Sequence, residues 1–189
     1  ETNVVSFYYN EDFKEQELVK PSFSGIQIKG RDAAAIRATI PNDGGLYDAK
    51  TGEQTTQLKI KGPNPGSWPH FFTRMASWPG TSGWSWFASG TNWAFSVRST
   101  TGTERRIESP TPPVFDDKWH TLTVVIYDSS VNGVNSKWVK RFTDGNRVIE
   151  TAANETRRNL GTNYGSIESM SPMMLGWGGD RGMGAVTFY

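Results

Sequence analysis

Residues 117–150, which read DKWHTLTVVIYD and, a little further on, KWVKRFTDGNRVIE, constrain the fold more than any other stretch of the chain. Leu122, Val124 and Ile126 alternate with Thr121, Thr123 and Val125, the period of two expected for a strand with one strongly apolar face. After a loop holding Asn132-Gly133, the chain resumes with Trp138, Lys140 and Phe142 alternating against Val139, Arg141 and Thr143. Asp144-Gly145 then supplies the positive φ angles that a tight hairpin requires. Long neighbouring strands joined in this way are antiparallel.

The remaining segments are short and punctuated. Strands are expected at residues 4–9, 25–29, 34–40 and 55–61, and a Pro/Gly loop carrying Trp68 follows at 62–69. Residues 70–98 form an aromatic meander of three strands, HFFTRMASW, GWSWFASG and NWAFSVRS. Five of the eight Trp fall between Trp68 and Trp93, more than an ordinary core requires. A short polar strand at 104–108 precedes the long hairpin, residues 152–169 read as a polar loop with one helical turn near 154–158, and final strands fall at 173–177 and 185–189.

Twenty Gly and ten Pro, with no helical periodicity beyond about two turns, specify an all-β sandwich or barrel. At 189 residues the expectation is one β-sandwich domain, 1–189. A net charge of +1 argues against general attraction to nucleic acid or anionic membrane, and no apolar run approaches a membrane span. The lack of Cys excludes disulfides, thiolate metal sites and thiol nucleophiles, and leans toward a bacterial or viral source. No signal peptide and no initiator Met are present, which reads as an excised or processed chain. The Asn154-Glu155-Thr156 sequon carries little weight.

Four pieces in order carry a family resemblance: Asp117-Lys118-Trp119-His120-Thr121-Leu122, Asp144-Gly145-Asn146, Met174-Leu175-Gly176-Trp177-Gly178, and the closing Gly184-Ala185-Val186-Thr187-Phe188-Tyr189. Together they make the C-terminal half resemble the laminin G-like and concanavalin A-like jelly-roll superfamily. The resemblance implies two packed antiparallel sheets, one concave, with ligands on the concave face or on loops at its rim. It also implies that the last strand pairs with the first, so that 185–189 would lie beside 4–9. It does not fix one function, because the superfamily holds lectins, carbohydrate-binding modules, adhesion domains, glycoside hydrolases and polysaccharide lyases.

Hydrolase chemistry needs paired carboxylates facing one sugar, and no strand here offers Glu-x-Asp-x-x-Glu; Glu104 and Glu108 merely flank Arg105-Arg106. A lyase needs a Tyr or His base and a cation, for which His70 with Arg74, or Tyr164 with an Arg, are the candidates. His120 reads as a structural residue at a strand start. No cofactor is certain; many laminin G-like domains hold Ca2+ through loop oxygens, and Asp43, Asp48 and Asp180 lie in loops that would suit a structural or ligand-bridging Ca2+.

The aromatic meander is the strongest site candidate. If Phe71, Met75, Phe87, Phe95 and Val97 form the core, then Arg74, Trp78, Trp84, Trp86 and Arg98 line an open face. Flat rings stack on the C–H faces of sugars, and Arg donates bidentately to hydroxyls or acidic groups. Trp177, Asp180 and Arg181 would join from a neighbouring loop. The competing register puts the Trp rings in the core and the other row outside.

The function expected is a non-catalytic, lectin-like carbohydrate-binding module of a secreted or surface-exposed protein, with an oligosaccharide or polysaccharide partner, no nucleic acid and no membrane insertion. A polysaccharide lyase or glycoside hydrolase, and a protein-protein adhesion domain, are the alternatives. The oligomeric state is open.

Overall fold

A computed structural model describes residues 26–28, 38–40, 54–75, 82–108, 110–131, 133–162, 164, 167, 169, 173–175 and 186–188. The strands are β1 Ile26–Ile28, β2 Ala38–Ile40, β3 Gln54–Lys61, β4 Ser67–Thr73, β5 Gly83–Ser89, β6 Asn92–Arg98 and β7 Glu104–Ile107. The second half adds β8 His120–Val131, β9 Val134–Thr143, β10 Asn146–Arg147, a short helix α1 Ala152–Arg158, then β11 Asn159–Gly161, β12 Met173–Leu175 and β13 Val186–Phe188. They build a seven-stranded sheet, β1-β13-β3-β8-β9-β10 with β11 also on β9, and a six-stranded sheet, β2-β12-β4-β5-β6-β7. All the strand pairings are antiparallel.

The β8–β9 hairpin is the backbone of the larger sheet. Leu122, Val124 and Ile126 are at most 2% exposed and face the core, as their alternation predicts. Val139, Arg141 and Thr143 form the matching inward row of β9. Asp144 and Gly145, at φ 52° and 78°, make the two-residue turn into β10. Both strands run further than expected, to Val131 and from Val134, through Asp128-Ser129-Ser130 and Asn135-Ser136, residues of low β propensity.

The last strand has β1 on one side, with Gln27↔Thr187, and β3 on the other, with Thr187↔Lys61. The expected strand at 4–9 itself lies outside the described residues.

Leu58, Ile60, Leu122, Val124 and Ile126 of one sheet meet Phe71, Phe72, Trp86, Phe95 and Val97 of the other in a single apolar cluster. A polar link crosses it. The Arg141 guanidinium donates to both carboxylate oxygens of Glu150 at 3.0 and 2.9 Å and to the Trp93 carbonyl at 2.9 Å, while the Trp93 indole donates to Thr143 Oγ1 at 2.9 Å. These bonds tie β9 to β6 through the sandwich.

At the start of β8, His120 sits between two carboxylates. Its Nδ1 lies 2.8 Å from Asp144 Oδ2 and its Nε2 2.9 Å from Asp116 Oδ1, while Asp144 Oδ1 also accepts from the Thr121 amide at 2.8 Å. Burial alone would lower its pKa, but the hydrogen bonds to Asp144 and Asp116, with the charges of both, outweigh that and raise it above the ordinary 6.5. Stability from this clamp is therefore full below the unfolded value and is lost as pH rises through the raised folded value. Urea midpoints measured from about pH 6 to about pH 9 should fall across that window, and His120→Gln should flatten the slope.

Candidate functional site

Cross-strand register sorts the aromatic meander into two faces. Trp84 lies opposite Val97, Trp86 opposite Phe95 and Ala88 opposite Trp93, and this row faces the core. Trp84 is 2% and Trp86 0% exposed. Trp86 stacks on Trp93 with centroids 5.2 Å apart and meets Phe72 edge-on, as Trp84 also does. The expectation that Trp84 and Trp86 line an open face is thus overturned; the competing register is the one adopted.

Arg74 is also inside. It follows the end of β4, its amide donates to the Trp84 carbonyl at 2.9 Å, and its guanidinium reaches the Ser169 carbonyl at 3.3 Å. Gly83 lies so close that a Cβ there would fall 2.0 Å from the Arg74 carbonyl oxygen, which explains the glycine. Arg74 is therefore a strand-to-loop tie, not an open-face residue. Arg98 does lie on the outward row, with Nη1 3.9 Å from Glu104 Oε2. Trp78, Trp177, Asp180 and Arg181 lie outside the described residues.

The outward face is built differently from the expected one, because β4 is bulged. Its pairing with β5 shifts register twice, from Ser67↔Ser89 to His70↔Phe87 to Phe72↔Trp86. Each shift inserts a residue that breaks strict alternation, so His70 joins the outward row beside Phe87 while Phe71 and Phe72 both enter the core. Trp68 falls in the first irregular stretch at φ 81°, a conformation costly for a bulky side chain by about 1–3 kcal/mol. Its ring stacks on Phe87 with centroids 5.5 Å apart and planes at 16°, and the Arg106 guanidinium lies 4.9 Å from the Trp68 centroid.

Across the sheet one outward row runs Met174, Thr73, Ser85, Ser96 and Arg106. Thr73, Ser85 and Ser96 are small and fully buried. Bulkier groups flank this row: Trp68, His70 and Phe87 on one side, with the Arg106 guanidinium against Trp68 and Phe87, and Arg98 and Glu104 on the other. His70 Nδ1 is hydrogen-bonded to Ser85 Oγ, and the Ser96 hydroxyl is buried with no hydrogen-bond partner. Arg106 Nε bridges Glu108 at 3.2 Å and Glu104 at 3.6 Å. Desolvation raises the Glu104 pKa even though Arg106 and Arg98 pull it down.

Tyr164 is not set up as a base. Its hydroxyl donates to the Val97 carbonyl at 2.7 Å, and burial holds its proton well above the usual phenol range. Among the described residues no three His, Asp or Glu side chains cluster as metal ligands; Asp43, Asp48 and Asp180 lie outside them. Sequence reasoning did not bring Trp68, Phe87 and Arg106 together.

No protein-family model matches the chain, and no curated protein sequence matches it significantly. Solved structures do. The binding domain of Paraclostridial Mosquitocidal Protein 1 superposes with TM-score 0.53 at 14% identity, over 87% of this chain and 40% of that one. Domains LG4-5 of the mouse laminin alpha1 chain superpose with TM-score 0.56 at 12% identity, over 90% of this chain and 45% of theirs. The chain spans less than half the length of either. These likenesses show the fold alone, a two-sheet antiparallel jelly roll similar to that of laminin G domains.

Proposed function

We propose that this jelly roll is a non-catalytic carbohydrate-binding module of a secreted or surface-exposed protein, in which a glycan lies in a trough over the outward row of the six-stranded sheet, between Trp68 and Arg98. The observation that carries the reading is Trp68, held at positive φ against Phe87 and Arg106 beside a row of small hydroxyl residues. An indole presents an apolar face to a sugar ring, while Arg106, Arg98, His70 and Glu104 supply donors and acceptors for its hydroxyls. The near-neutral balance of Arg and Glu there suits an uncharged or mildly acidic glycan. One structural neighbour is itself a toxin's binding domain, and the same kind of role is proposed for this chain. Among the described residues no helix is long and apolar enough to cross a membrane.

A glycan array on the whole chain, paired with an assay for unsaturated or reducing products, tests this. Trp68→Ala should weaken retention of the bound glycan by about tenfold or more with an unchanged circular dichroism spectrum. Undiminished binding by both Trp68→Ala and Arg106→Ala would remove the trough from consideration, and product release would make the protein an enzyme.

A further inference from the structure

A concavity lies at the far end of the β8–β9 hairpin, and the register of the hairpin explains its chemistry. The inward row of β8 runs Leu122, Val124, Ile126 and continues through Asp128 to Ser130; their β9 partners run Thr143, Arg141, Val139, Lys137 and Asn135. The row thus changes from the buried Ile126–Val139 pair to Asp128–Lys137 and Ser130–Asn135 within one step. An inward face covered by the opposite sheet would stay apolar. Here the polar row, together with Ser129 and Ser136 of the alternate row, borders a cleft of about 530 Å3, within the range of small-ligand sites, whose other wall is formed by Gly161, Thr162 and Tyr164.

That wall is anchored. β11 is paired to β9 through Asn159↔Trp138 and Gly161↔Lys137, and Tyr164 is fixed by its hydroxyl on the Val97 carbonyl and by Thr101 Oγ1 on its own carbonyl at 3.3 Å. The charges within the cleft cancel. Lys137, its side chain only 14% exposed although it lies toward the hairpin end, places Nζ 2.9 Å from Asp128 Oδ1. What remains is a set of groups that both donate and accept: the hydroxyls of Ser129, Ser130, Ser136 and Thr162 and the amide of Asn135. A ligand selected here is recognised by matched hydroxyls, without net charge and without a stacking platform.

We propose that this cleft is a binding site for a short neutral saccharide, separate from the trough and independent of whether the trough binds glycan. Titration of the 15N-labelled whole chain with maltose, lactose and cellobiose, with glucuronate as the anionic control, tests it by amide shifts. At least one neutral disaccharide should give saturable shifts at Ser130, Asn135, Gly161 and Thr162, equally in the wild type and in Trp68→Ala. Ser130→Ala and Asn135→Ala, at exposed positions that leave the core intact, should each weaken that binding about tenfold. No saturable shift at these amides, shifts with glucuronate alone, or unchanged affinity in both variants would overturn the proposal. Loss of binding in Trp68→Ala alone would place the ligand in the trough and overturn it equally.

Discussion

Arg141→Ala is expected to lower stability by about 3–5 kcal/mol, because it leaves a carboxylate in the sandwich with nothing to neutralise it. The side chains of Arg141 and Glu150 are 0% and 3% exposed, and their bidentate bonds hold both charges out of water. The substitution also strips the Trp93 carbonyl of its donor at 2.9 Å and removes the cation from beside the Trp93 ring. Glu150→Ala should cost a similar amount by stranding the guanidinium instead. The pair itself contributes much less than either single loss suggests, since two charges had to be desolvated to form it. Arg141→Met combined with Glu150→Leu should therefore recover most of the stability. Urea midpoints for the single and double variants measure this; single variants within about 1 kcal/mol of wild type would mean that water reaches the pair.

The parts of the fold that were legible in the sequence are those governed by local period. The row Leu122, Val124, Ile126 and the turn Asp144-Gly145 each state their conformation within a few residues, and the structure keeps both. The meander was less legible for two different reasons. The bulges in β4 leave no sign in HFFTRMASW, and strict alternation does not reveal that His70 pairs outward with Phe87 while Phe71 and Phe72 both enter the core. Trp68 was consequently left in a loop, although it packs on Phe87 as part of β4. The facing of Trp84 and Trp86, by contrast, was decidable. Gly90 and Thr91 form a two-residue hairpin loop that pairs Ser89 with Asn92, and this parity sets Trp86 opposite Phe95 and Trp84 opposite Val97. Choosing Phe95 and Val97 as core therefore required the two Trp to be core as well. The cleft was hidden for a compositional reason, because Asp128-Ser129-Ser130 and Asn135-Ser136 read as a loop and become strand only by pairing with each other.

The same parity yields the sharpest contrast between variants of the meander. Trp86→Ala should cost about 3–5 kcal/mol, since it empties a fully buried indole site lined by Trp93, Phe71 and Phe72 that rigid sheets cannot close. Trp86→Phe should cost clearly less. The indole Nε1 of Trp86 is buried with no hydrogen-bond partner, so the smaller ring forfeits packing but no hydrogen bond, and it relieves an unmet donor. Trp68→Ala should behave in the opposite way, with a small change in the urea midpoint and a large loss of glycan retention, because it removes a half-exposed ring from a strained backbone position. A Trp86→Ala variant within about 0.5 kcal/mol of wild type that nevertheless loses glycan would return the binding face to the Trp84–Trp86 row and reverse the assignment of the two sides of the sheet.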